Sequence, residues 1–376
     1  MTSEASGAPV GIGAGFGTGG GAGLTAVFSR LIAATGPISM AHYMAEANAR
    51  YYASRDPLGT SGDFVTAPEI SQMFGELIGL WLADIWQRAG SPDGVCYVEL
   101  GPGRGTLARD ALRAARRGGL VPEVHFVETS PALTALQRTM HPGATWHHDL
   151  SGLPVDRPLL VVANEFLDAL PVRQLVRTAE GWRERMVGLD ADGAFIPIAG
   201  TRPMDAAVPA WFGKAGEGAI VETSPAAATV VQEVAARLAR QGGAALFIDY
   251  GYAEPQLGST LQAVRAHRKV DVFVEPGEAD LTAHVDFATL ADVAEQAGAR
   301  WLGTAGQGGW LAALGIGARA GALAKAAPHE AEAIEAAAMR LTAPAEMGTL
   351  FKVMGLAAPR WPDGAGLERV SLGTAS

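Results

Sequence analysis

The segment Val98-Glu99-Leu100-Gly101-Pro102-Gly103-Arg104-Gly105 constrains this chain more than any other. An apolar run leads into it and a helical pattern opens near Thr106. The glycines therefore stand at a strand-to-helix turn, where they permit a sharp bend and close approach of the backbone to a ligand. Dinucleotide loops that bind pyrophosphate space their glycines G-x-G-x-x-G, whereas Gly101, Gly103 and Gly105 follow G-x-G-x-G behind the acid Glu99. That form suits a nucleoside cofactor without phosphates, whose positively charged end Glu99 attracts.

Around this turn, short apolar runs at 95–100, 124–128, 144–147, 159–163, 244–249, 299–304 and 349–356 alternate with helical stretches. Such alternation predicts an α/β, Rossmann-like fold with a seven-stranded, mostly parallel sheet covered on both faces. A length of 376 residues accommodates that domain with additions. The expected organisation is a glycine-rich tail over 1–23, an N-terminal helical region over 24–90 with a site-covering loop at 55–68, the sheet domain over 91–358, and a tail over 359–376. Insertions are expected at about 172–218, where β-hairpins turn at Asp190-Ala191-Asp192-Gly193, at about 253–287, and at about 309–347, which reads as helical. The tail glycines mimic a nucleotide loop, but no apolar strand precedes them.

In such a sheet, ligands sit at the carboxyl ends of the strands. Glu128, followed by Thr129, closes the second run and is placed to accept ribose hydroxyl protons; Asp149 and Leu150 follow the third and are placed at an adenine edge. After the fourth comes Asn164-Glu165-Phe166-Leu167-Asp168-Ala169-Leu170-Pro171, facing the reacting end of the cofactor. Two carboxylates there are costly to bury without purpose. Glu165 and Asp168 suit the orientation and deprotonation of a nucleophile, with complementing a helix dipole as the competing reading. Asp249 ends the fifth run; His284 and Asp286 share a face of an extended segment and are read as base or substrate-positioning groups, with helix capping the alternative for Asp286. No third ligand accompanies that pair, so no metal is expected. Asp63, Phe64 and Thr66 belong to a loop that either reaches over the site or is a solvated connector.

The net charge of −10 disfavours nucleic-acid partners, and no stretch of roughly 18 apolar residues predicts a membrane span. One cysteine, Cys96, excludes an intrachain disulfide and a multi-cysteine zinc site, suits a reducing cytoplasm, and reads as inert core packing.

Taken in order, Gly62-Asp63-Phe64-Val65-Thr66-Ala67-Pro68-Glu69, the Glu99–Gly105 segment, Glu128-Thr129-Ser130-Pro131, Asn164 through Pro171, Asp249-Tyr250-Gly251-Tyr252, Pro276-Gly277-Glu278-Ala279-Asp280 through Phe287, and Met347-Gly348-Thr349-Leu350-Phe351-Lys352 resemble the MidA-like methyltransferases. That family includes the mitochondrial complex I assembly factor. The resemblance implies a class I methyltransferase fold, S-adenosylmethionine as cofactor with S-adenosylhomocysteine as product, and methylation of a protein arginine, in the mitochondrial relative on a complex I subunit. It implies cofactor contacts at the Glu99 loop, Glu128 and Asn164-Glu165, and a place in the site for the loop from Gly62 to Pro68. Lacking an organellar presequence, the chain is read as a bacterial, cytoplasmic member; a homodimer stays open. Other readings are a cofactor-holding assembly protein without turnover, a methyltransferase for a small acceptor and, further off, a nicotinamide oxidoreductase.

Overall fold

The computed structural model describes residues 23–54, 65–265 and 268–368. The glycine-rich tail through residue 22, and Asp63 and Phe64 of the loop at 55–68, lie outside the described residues.

Seven strands run across the central sheet: β1 (Cys96–Leu100), β2 (Glu123–Val127), β3 (Thr145–His147), β4 (Leu159–Asn164), β5 (Gly243–Tyr252), β6 (Arg300–Gly306) and β7 (Phe351–Ala357), in spatial order β6-β7-β5-β4-β1-β2-β3. The sheet counts eight strands, because the short Val285–Asp286 segment also pairs with β5. Strands β1 to β5 pair in parallel, whereas β7 is antiparallel to both β5 and β6. Strand order reverses between β1 and β4, so their carboxyl ends open the crevice where a ligand enters such a sheet.

Period-two alternation distributes the side chains. Tyr97 packs on one face with Phe74, Leu77 and Trp81 of helix α1 (Gln72–Arg88) and Leu107 of helix α2 (Thr106–Arg117). Val98 and Leu100 pack on the other with Val231, Val234 and Leu238 of helix α3 (Pro225–Gln241). Helices α1 and α2 touch closely: a Cβ on Gly79 would lie 2.0 Å from the Ala111 carbonyl oxygen.

The additions form a second lobe. Gly181–Leu189 pairs with Arg173–Thr178, Phe195–Pro203 and the two-residue strand Ile38–Ser39, and Ile220–Thr223 completes this antiparallel five-stranded sheet. The segment expected as an insertion near 253–287 contains a three-stranded sheet of Gln262–Arg265, Arg268–Val270 and Asp280–Thr282. Phe28, Met40, Tyr43 and Met44 of the N-terminal helices share a core with Val187, Phe195, Ala263 and Leu281 from these sheets. Residues 359–368 pack back on the body: Leu367 is buried, and Trp81 and Trp310 both donate to the Ala365 carbonyl.

Candidate active site

A cavity of about 560 Å³ opens at the β1/β4 crevice. Its first wall is the turn after β1, where Gly101, Gly103 and Gly105 have φ of 61°, 54° and 85°, a region that disfavours side chains. A Cβ on Gly101 would stand 2.8 Å from the Phe166 ring. Gly105 is the N-cap of α2 and lies behind the cavity wall, its carbonyl 2.9 Å from His141 Nε2.

Glu99 is 2% exposed and reaches the cavity from beneath. The Tyr97 phenol donates to its Oε2 at 2.6 Å, yet burial pushes the carboxyl pKa up to about 8. A positively charged ligand group beside it would offset that desolvation. Glu128 follows β2 and accepts the Thr129 and Ser130 amides, both at 2.8 Å, through Oε1. Gln137 donates to its Oε2 at 3.0 Å and to the Gly103 carbonyl at 2.7 Å, tying the glycine turn to the acid. Gln137 is fully buried and accepts Trp146 Nε1 at 2.9 Å. Its sequence signal is only that of a polar residue on the buried face of a helix.

The opposite wall begins where β4 ends. Glu165 adopts φ of 49°, a left-handed conformation that a non-glycine residue rarely takes, and its amide donates to Ile248. The next three amides, of Phe166, Leu167 and Asp168, all donate to Asp249 Oδ2 at 3.0 to 3.2 Å. Asp249 is thereby the buried anchor of this turn and does not line the cavity. Glu165 does line it, accepting Asn164 Nδ2 and the Ala67 amide, each at 3.1 Å. Burial first, and then the nearby Asp168 charge, push its pKa up to about 7. Asp168 is buried behind the wall with its pKa raised by burial to about 6, and the Tyr250 phenol hydrogen-bonds to it.

The N-terminal region closes this side. Thr66 lines the cavity, and the neighbouring Glu69 accepts the Thr106 hydroxyl at 2.6 Å. Asn48 donates to the carbonyls of Ala169 and Leu281 at 3.0 and 2.7 Å, and Tyr52 donates to both Asp280 oxygens at 2.9 and 3.0 Å. Neither Asn48 nor Tyr52 stands out in the sequence, because their helix reads as ordinary amphipathic packing.

The cavity thus gathers Glu99, Gly101, Gly103, Glu128, Thr129, Asn164, Glu165 and Thr66 among the residues expected from sequence. It does not gather Asp149, Leu150, His284 or Asp286. Asp149 accepts the Ser151 amide and hydroxyl, capping the short turn that begins at Leu150. Asp286 accepts the Thr289 amide at 3.1 Å, capping helix Phe287–Gln296. His284 stacks edge-on against Tyr250 and, with Asp286, borders a separate pocket of about 160 Å³.

A parallel sheet reversing at this point, a glycine turn and a buried acid define a Rossmann-like domain for an adenosyl-type cofactor with a cationic end. A model of a family described as S-adenosyl-L-methionine-dependent methyltransferases matches residues 77–305. The chain is 37% identical to the mitochondrial protein arginine methyltransferase NDUFAF7 homolog of Drosophila melanogaster, covering 86% of this chain and 82% of that one. It is 38% identical to the NDUFAF7 protein of Danio rerio, covering 70% of each. A Burkholderia thailandensis structure bound to S-adenosylhomocysteine matches with a TM-score of 0.80 and 32% identity, over 91% of this chain and 93% of that one. The chain belongs to this MidA-like family of S-adenosylmethionine-dependent methyltransferases.

The residues present fit that cofactor. Buried Glu99 calls for a cation, and Asn164, which lines the cavity, has a buried Oδ1 without a hydrogen-bond partner among the described residues.

Proposed function

We propose that the chain methylates a nitrogen of a protein arginine, with Glu165 receiving the acceptor's proton. The observation that carries this reading is Glu165 itself: a carboxyl on the cavity wall, at a strained turn after β4, with a pKa of about 7. S-adenosylmethionine, when bound, supplies an electrophilic methyl on a sulfonium. Glu99 holds the cationic amino-acid end and Glu128 the ribose hydroxyls. A guanidinium has to shed a proton in or after the displacement, and a carboxylate that titrates near neutrality takes it and returns it to solvent. Asp249 keeps Glu165 in place through the three amides that it gathers.

Arginine as acceptor is supported by the names of the relatives, and a macromolecular acceptor by the second lobe beside the cavity, which a small acceptor does not require. The family resemblance extends this proposal to a respiratory-complex subunit. A bacterial cytoplasmic setting is part of this reading, supported by the single cysteine, which suits a reducing compartment; among the described residues no helix is long and apolar enough to cross a membrane.

The test is incubation of cell extract with methyl-labelled donor, using wild type and Glu165→Gln, followed by acid hydrolysis. Methylarginine with wild type alone, while both proteins bind S-adenosylhomocysteine, supports the proposal. Label in another nitrogen or in a small molecule overturns the acceptor, and binding without label overturns turnover.

A further inference from the structure

Among the described residues, the cavity leaves one group of three metal-ligating side chains unused. Cys96 opens β1 and Glu123 opens β2, and the two are register partners in adjacent parallel strands. His125 lies two residues beyond Glu123, so all three side chains project from one face of the sheet. A ligand atom from each lies within 4.8 Å of the others. His125 is 6% exposed, and its Nε2 is buried with no hydrogen-bond partner among the described residues. A buried imidazole nitrogen without a partner is rare enough to require a reason.

The other ring nitrogen supplies that reason. His125 Nδ1 lies 2.9 Å from His147 Nε2, with the two rings stacked. When Nδ1–H donates to His147, Nε2 carries the free lone pair, and this is how a metal-bound histidine is oriented by an outer partner. Glu123 pairs with Arg157 through Oε1 at 2.5 Å and turns Oε2 toward His125 Nε2 at 3.9 Å, so one carboxylate oxygen faces the group. Burial, and then the Glu123 charge, push the Cys96 thiol pKa up, and the Arg157 guanidinium that approaches it offsets part of that rise. The guanidinium opposes a second cation, but its side chain is 38% exposed and can swing to solvent.

We propose that Cys96, His125 and Glu123 form a binding site for a thiophilic divalent cation of the zinc type, at the end of the central sheet opposite the cofactor cavity. Sulfur, imidazole and carboxylate form a zinc ligand set, whereas magnesium and calcium take oxygen alone. Tetrahedral bonds of about 2.0–2.3 Å hold donors about 3.5 Å apart, so the three groups close by roughly an ångström. Binding replaces the S–H bond of Cys96 with a sulfur–metal bond and releases that proton to solvent; water fills the fourth position. Affinity therefore rises with pH. The ion ties the starts of β1 and β2 together and leaves the cofactor loop untouched.

Cobalt(II) alone, titrated into the purified full-length protein, tests this site. Cys96 is the chain's single cysteine, so a thiolate-to-cobalt charge-transfer band reports on it. The expected result is a band saturating at one equivalent, displaced by zinc(II), absent in Cys96→Ala and at least tenfold weaker in affinity in His125→Gln. Both variants should bind S-adenosylhomocysteine as wild type does, which shows that they are folded. No band in wild type that binds S-adenosylhomocysteine overturns the proposal, as does a band that survives in Cys96→Ala or is unchanged in His125→Gln.

Discussion

Glu99 makes cofactor affinity a function of pH. In the unliganded protein its carboxyl holds a proton up to about pH 8, because burial disfavours the charged form. A cationic ligand beside it requires the ionised form, so below that pH binding must first expel a proton. With one pKa unit worth about 1.36 kcal/mol, affinity should fall about tenfold per unit well below 8, and about fifty-fold from pH 8 to pH 6. Calorimetry of S-adenosylhomocysteine binding in buffers of differing ionisation enthalpy measures both the slope and the proton released. Glu99→Gln keeps the shape and removes the titration. It should weaken binding about thirtyfold or more at pH 8, the cost of an unpaired buried charge, and flatten most of the pH dependence. An affinity that is constant between pH 6 and 8 in wild type, or a slope unchanged in Glu99→Gln, refutes the assignment of Glu99 to the cationic end.

Four further outcomes follow from the same geometry. Gly103→Val places a branched side chain at φ of 54° on the cavity wall and should abolish S-adenosylhomocysteine binding in calorimetry. Gln137→Leu strands the Gly103 carbonyl, Glu128 and the Trp146 ring nitrogen, and should cost about 2–4 kcal/mol in denaturant unfolding together with at least tenfold in cofactor affinity. Asp249→Ala orphans three amides and should cost about 3 kcal/mol or more, whereas Asp249→Asn keeps an acceptor and should cost less than half of that in the same assay. Glu99, Glu165 and Asp168 have pKa values raised to about 8, 7 and 6, so each holds in the fold a proton that the unfolded chain has released. Their contribution to the stability of the unliganded protein should accordingly fall as pH climbs from about 4.5 toward 8: the melting temperature of wild type relative to Glu165→Gln should drop over that range, and a difference that grows contradicts the shift.

The central sheet was legible in the sequence because its strands are buried on both faces and read as uninterrupted apolar runs, as in Leu159–Asn164. The glycine turn and the strand-end acids were legible because parallel topology sends every strand end to one edge. The three-stranded sheet near Asp280–Thr282 was not legible: its strands are three or four residues long, too short to show alternation. Cys96, Glu123 and His125 escaped notice as a group for a related reason. Cys96 and Glu123 are neighbours only through strand register, which spacing along the chain does not display.

Asp249 and Asp286 show why residue type and strand-end position overstate a catalytic role. A carboxylate at a turn has two uses, accepting backbone amides or meeting a ligand, and sequence does not separate them. The hydrogen-bond partners do. Asp249 satisfies three amides and Asp286 caps a helix, whereas Glu165 accepts one amide and a neighbouring side chain and still faces the cavity. Asp249 keeps a second function through its position. Held at the turn by backbone donors, it fixes the strained Glu165 backbone, and burial, followed by the charges of Asp168 and Glu165, raises its own pKa. On the proposed reading, a guanidinium arriving beside Glu165 would relieve this crowding of acids, and an anion would add to it.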